Sequence, residues 1–89
     1  MVWRIEYAGS VQRAFRRLDR QARQRLRNFL EVRLANTRNP RQLGAAMRGG
    51  KHRGLWRYRV GHYRVIAQID DDRIRILVVR IAHRSKAYR

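Results

Sequence analysis

Leu55-Trp56-Arg57-Tyr58-Arg59-Val60-Gly61-His62-Tyr63-Arg64-Val65-Ile66-Ala67-Gln68-Ile69 decides how the rest of the chain is read. Val60-Gly61-His62-Tyr63 fits a two-residue hairpin loop, with glycine at the central position that needs a positive φ. Pairing Val60 with Tyr63 sets Tyr58 opposite Val65 and Trp56 opposite Ala67. Side chains alternate across a strand. One face therefore carries Trp56, Tyr58, Val60, Tyr63, Val65, Ala67 and Ile69, an aromatic and aliphatic layer suited to a core. The other carries Arg57, Arg59 and Arg64 with Leu55, Ile66 and Gln68. Like charges that close repel one another, which points to an anionic partner for this second face.

Outward from the hairpin, Val2–Tyr7 alternates and reads as a first strand. Val11, Ala14, Phe15 and Leu18 form a helical stripe over residues 11–18, with Ser10 able to cap it. Asp19 is placed to cap a second helix over 21–35, whose stripe is Ala22, Leu26, Phe29, Leu30 and Leu34. Residues 36–54 hold Asn39-Pro40 and four glycines and predict loop over most of their length. Asp70-Asp71-Asp72-Arg73 is a polar turn, and Ile74–Ala82, apolar on both sides, predicts an interior strand. Pairing Ile69 with Ile74 sets Ala67 against Ile76 and Val65 against Val78. Arg64 then falls beside Val79, with Ile81 and His83 further along the arginine face. The expectation is one α+β domain over 1–89: an N-terminal strand, a helical hairpin, then a three-stranded antiparallel sheet (β-α-α-β-β-β).

Composition narrows the function. Lys and Arg number 23 against 6 Asp and Glu, for a net charge of +17, and only Lys51 and Lys86 are lysines. Arginine grips phosphate with a planar fork and stacks on bases, so this balance favours RNA as a partner. With no cysteine there is neither a disulfide framework nor a thiolate metal site. The apolar runs are far shorter than the ~20 residues of a membrane span, and the N-terminus has no apolar signal region. Cytoplasm is the expected location. His52, His62 and His83 lack metal-site spacing, and the glycines follow no phosphate-loop or dinucleotide pattern. Neither a metal nor a cofactor is expected.

What remains is arginine, histidine and tyrosine, and metal-free RNA cleavage needs only such groups. A base takes the 2′-hydroxyl proton, cations stabilise the phosphorane, and an acid protonates the leaving 5′-oxygen. Basic faces interleaved with aromatics equally suit plain RNA binding.

Gly54–Ile66 resembles the central signature of the RelE/ParE toxin superfamily. Val79-Arg80-Ile81-Ala82-His83-Arg84-Ser85-Lys86-Ala87-Tyr88 resembles the C-terminal signature of its RelE branch, and Met47-Arg48-Gly49 the short motif before the hairpin. The resemblance implies a toxin of a type II toxin–antitoxin pair that enters the ribosomal A site and cuts mRNA without metal, leaving a 2′,3′-cyclic phosphate and a 5′-hydroxyl. It implies a cognate antitoxin, expected to be acidic, through which alone the pair touches operator DNA. It places Arg64, His83, Arg84 and Tyr88 in the catalytic set: Arg64 as charge stabiliser, His83 as acid or base, Tyr88 as the residue that stacks on the cleaved nucleotide. Arg57 and Arg59, with Arg48 and Lys51 before them, form the RNA-binding set. Lysine is common in the family where this chain has Arg57 and Arg59, and other members use a glutamate that the hairpin and tail lack. The alternatives are a ParE-like poison of gyrase and a non-catalytic RNA-binding module.

Overall fold

The structure, a computed structural model, describes residues 2–85, and Tyr88 and Lys86 lie outside the described residues. The chain runs β1 (Arg4–Tyr7), α1 (Gly9–Arg17), α2 (Arg20–Asn28), β2 (Ala45–Ala46), β3 (Leu55–Val60), β4 (Tyr63–Asp70) and β5 (Arg75–His83). α2 runs on into a single π-helical stretch, Phe29–Leu34, and short 3₁₀ turns span Pro40–Leu43 and Gly50–His52. One five-stranded sheet has the order β1-β5-β4-β3-β2. β1 lies parallel to β5, and the other three pairings are antiparallel. The α+β reading and the strand–helix–helix–strand order hold. The sheet is wider than three strands because β1 joins it beside β5 and a two-residue β2 adds to β3.

The helices cover the face predicted for the core. Tyr58, Val60, Val65 and Ala67 are buried there with Ile76 and Val78 of β5, against Val11 and Phe15 of α1 and Leu26, Leu30 and Leu34. The last three are i, i+4 and i+8, all 0% exposed, and the turn widens after Asn28 so that Ala35 N–H bonds Leu30 C=O at 3.1 Å. Asp19 caps α2 as expected, its carboxylate accepting the Ala22 N–H at 2.7 Å. Ser10 does not cap α1. The helix starts two residues earlier than that cap requires, with Ala8 in the cap position and no side-chain hydrogen bond.

The hairpin register is as read: Val60 opposite Tyr63, Tyr58 opposite Val65, Trp56 opposite Ala67. The β4–β5 register is not. Ile69 pairs with Ile76 rather than Ile74, and Ala67 with Val78. The turn takes residues 71–74, and Ile74 sits in the left-handed region at φ +50. A β-branched residue there costs about 1–2 kcal/mol. Offsetting it, the Ile74 carbonyl accepts the Arg4 N–H at 2.9 Å and its side chain packs on the core.

A slip of two residues leaves every side chain on its face, but a second irregularity does not. Between Ile66 and Ala67 the partner on β5 jumps from Arg80 to Val78, making Val79 the extra residue of a β-bulge. The bulge changes the phase of β5 by one. Ile76 and Val78 face the helices before it, and Ile81 and His83 do so after it. Arg80 and Ala82, not Val79, Ile81 and His83, therefore share the face of Arg57, Arg59 and Arg64.

Gly44 marks where the 40s segment presses on the sheet. A Cβ there would lie 2.6 Å from the Arg57 carbonyl and 2.7 Å from the Tyr58 ring. Gly44→Ala is expected to destabilise by about 1–3 kcal/mol, the usual cost of overpacking. At about 4–8 °C per kcal/mol for a domain of this size, thermal unfolding followed by circular dichroism reads it directly.

Candidate nucleic-acid interface

Most acids of this chain lie away from the β3–β4 end of the sheet, Asp19 excepted, which lines a cleft there with Arg25, His62 and His83. Glu6 and Asp70 hold Arg75, at 3.2 and 3.7 Å, and Asp70 also lies 3.8 Å from Arg73. Asp71 accepts both terminal nitrogens of Arg41, at 3.0 and 2.7 Å, and that guanidinium holds its carboxyl below the usual range. Glu31 takes the Tyr7 hydroxyl and Asp19 is occupied by its cap. At the opposite end, around the β3–β4 turn, Arg25, Arg59 and Arg64 have no carboxylate partner among the described residues. This asymmetry, more than the total charge, marks the interface.

Two cross-strand rows build it. Arg59 lies opposite Arg64, which lies opposite Ala82; Arg57 lies opposite Ile66, which lies opposite Arg80. Ile66 is 3% exposed although no helix covers this face. Arg64 is anchored at the turn, its Nη1 donating to the Tyr63 carbonyl at 3.0 Å and the Gly61 carbonyl at 3.4 Å. Arg84 is brought to the same place, since its N–H bonds the His62 carbonyl at 2.7 Å. Arg48 lines a cleft of about 410 Å³ with Arg57 and His52. Lys51 is exposed in the adjoining 3₁₀ turn.

His83 departs from expectation. The bulge puts it on the helix side of the sheet end, opposite Tyr63, with its ring edge-on to Tyr63 at 5.7 Å and stacked on His62 at 6.1 Å. It lines a cleft of about 250 Å³ with Asp19, Arg25 and His62. Its Nδ1 lies 3.1 Å from Ser85 Oγ and accepts the Ser85 N–H at 3.4 Å. The structure thus groups Arg59, Arg64 and Arg84 at the hairpin tip, sets Arg57 and Arg48 one row away, and puts His83 round the edge of the same tip. Sequence reasoning missed Arg80 and Arg25. Arg80 was visible in the C-terminal motif, but only the bulge brings it to this face.

Residues 5–88 match the family described as the ParE toxin of the type II toxin–antitoxin system parDE. The chain belongs to the RelE/ParE superfamily of type II toxins. Over 51 residues the toxin is 43% identical to Toxin RelE of Mycobacterium tuberculosis, a stretch covering 57% of this chain and 52% of that protein. It thus spans about half the length of the curated relative it matches. In fold, the toxin is similar to the toxin–antitoxin complex RelBE2 of M. tuberculosis, with a TM-score of 0.85 and 22% identity over 97% of this chain and 95% of that one. The archaeal RelE–RelB complex of Pyrococcus horikoshii gives a TM-score of 0.76 at 25% identity, over 98% and 100%. No helix among the toxin's described residues is long and apolar enough to cross a membrane.

Proposed function

We propose that this toxin is a ribosome-dependent, metal-independent mRNA endoribonuclease, inhibited by a cognate antitoxin. The observation that supports the reading is the hairpin tip, where Arg64 is anchored to the turn opposite Arg59, the Arg84 backbone is bonded to His62, and none of the three arginines has a carboxylate partner among the described residues. A scissile phosphate seated there gains charge as the 2′-oxygen attacks, and preorganised cations stabilise that charge in the transition state more than in the ground state. Arg64 is the main charge stabiliser, because its guanidinium is held at the turn by two backbone carbonyls, both through Nη1. His83, at the edge of the tip, is the acid or base of the step: its free imidazole takes the 2′-hydroxyl proton, and the imidazolium so formed returns a proton to the leaving 5′-oxygen, with RNA turning over the tip to reach it. Arg57, Arg59, Arg48 and Lys51 carry the RNA on either side, and Tyr88 stacks on the cleaved nucleotide. The antitoxin, acidic where it meets the basic surface, is the expected protein partner, operator DNA being reached only through it. The ribosomal A site is the place of action, and the cytoplasm the compartment.

The match to the ParE family favours a second reading, a poison of gyrase, which acts by binding protein and cuts no RNA. Purified toxin incubated with programmed ribosomes separates the two. Cleavage of the A-site codon, with 2′,3′-cyclic phosphate ends and none on naked mRNA, is the result expected. Intact mRNA together with inhibited gyrase supercoiling supports the second reading.

A further inference from the structure

The α2 arginines look like a solvated helix face, but one of them is not free to be so. Gly61, at φ +60, lies directly under Arg25. A Cβ on Gly61 would meet Arg25 Nη1 at 2.8 Å and its Cδ at 3.4 Å. The guanidinium is laid across the β3–β4 turn, and a side chain at Gly61 would push it aside. On the other side of that glycine, the Gly61 carbonyl accepts from Arg64 at 3.4 Å. Arg25 and Arg64 are thus separated by about one residue of backbone. Beyond Arg25 opens a cleft of about 280 Å³ lined by Arg25, Arg33 and Arg59, with Asn28 and Phe29. None of its lining residues is acidic, and Arg33 is steadied over the Phe29 ring at 5.9 Å.

Three guanidinium groups gathered round one opening repel one another, and an anion relieves that repulsion. The planar fork suits phosphate oxygens. Arg59 belongs both to this cleft and to the arginine face, so a strand of RNA leaving Arg64 has a continuous path into it. We propose that Arg25, Arg33 and Arg59 form a second phosphate subsite, which grips the RNA backbone away from the scissile bond and is separate from the row of Arg57 and Arg80. The subsite rests on the nuclease reading above and extends it to a helix that the strand motifs do not include. The phosphate comes from the messenger or from ribosomal RNA.

The test compares Arg25→Ala/Arg33→Ala with Arg20→Ala/Arg23→Ala, which removes the same charge from the same helix outside the cleft. Each full-length chain is titrated with a labelled 15-nucleotide single-stranded RNA and with ribosomes whose A site is empty, over a range of salt. Unchanged thermal midpoints show that both variants fold. The subsite predicts an affinity loss of about 10- to 100-fold for the first variant and under about threefold for the second. It also predicts that the salt slope of the first drops by about 0.7, the value for one phosphate contact on a single strand. Loss with the free oligonucleotide identifies messenger phosphate; loss with ribosomes alone identifies ribosomal RNA. Equal losses in both variants reduce the effect to net charge and overturn the subsite. So does retention of both RNA and ribosome binding with loss only of the antitoxin. If the unaltered chain binds neither RNA nor ribosomes, the nuclease reading falls and the subsite falls with it. If it binds and cuts while Arg25→Ala/Arg33→Ala matches it, only the subsite falls.

Discussion

Arg64→Ala is expected to lower the mRNA cleavage rate by about 10²–10³ and to abolish growth arrest, with the fold intact. The size follows from removing one preorganised donor from a developing oxyanion. The direction follows from its anchorage: the Tyr63 and Gly61 carbonyls fix the guanidinium at the turn, so no reorientation is needed as the phosphorane forms. Because the side chain lies outside the core, stability changes little. Antitoxin affinity should stay within about tenfold, which separates lost chemistry from lost binding. Arg64→Lys keeps the charge but not the fork, and should fall between the two. Single-turnover cleavage on programmed ribosomes measures the rates. Full toxicity of Arg64→Ala at equal expression removes Arg64 from the mechanism.

The largest effect on stability is expected at Tyr58. Its ring is wholly buried, lies 5.8 Å from Phe29 and donates its hydroxyl to the Pro40 carbonyl at 2.9 Å. It thereby ties the sheet to the helices and the 40s segment at once. Tyr58→Ala should cost about 3–5 kcal/mol, as for other buried aromatic truncations. Tyr58→Phe keeps the packing and deprives the Pro40 carbonyl of its donor, for about 1–3 kcal/mol. Burial also pushes the Tyr58 hydroxyl up from 10.0 to about 12. Below pH 10 folded and unfolded states both keep the proton and this contribution is flat. Above it the unfolded state ionises first, so stability falls until about pH 12, by up to about 1.4 kcal/mol per pH unit. Urea unfolding of the two proteins across this range should show a steeper fall for the unaltered chain than for Tyr58→Phe.

The parts of the molecule that were legible in its sequence are those set by neighbours in the chain. Gly61 fixed the phase of the hairpin, and from it the faces of β3 and β4 followed residue by residue. Asp19 announced the start of α2. What escaped was set by distant contacts. Nothing in Val78-Val79 distinguishes a bulge from continued alternation, since both residues suit either face. Yet that one extra residue moves Arg80 onto the arginine face and His83 to the helix side of the same tip. β2 is two alanines, with no pattern to read, and is held by its neighbour β3. The parallel pairing of β1 with β5 joins the two ends of the chain. Arg25 resembles every other helix arginine until Gly61 is found beneath it. The candidate site was therefore legible in its strand residues and hidden wherever a bulge or a helix contributed.

The most direct test of the central claim is to express the chain from a tightly controlled promoter and map mRNA 5′ ends across the transcriptome, alongside Arg64→Ala and Tyr88→Ala. Ribosome-dependent cleavage predicts new ends at a fixed position within codons of translated regions, and their loss in both variants. Growth arrest with no new ends, or ends that ignore the reading frame and persist in Arg64→Ala, would contradict it.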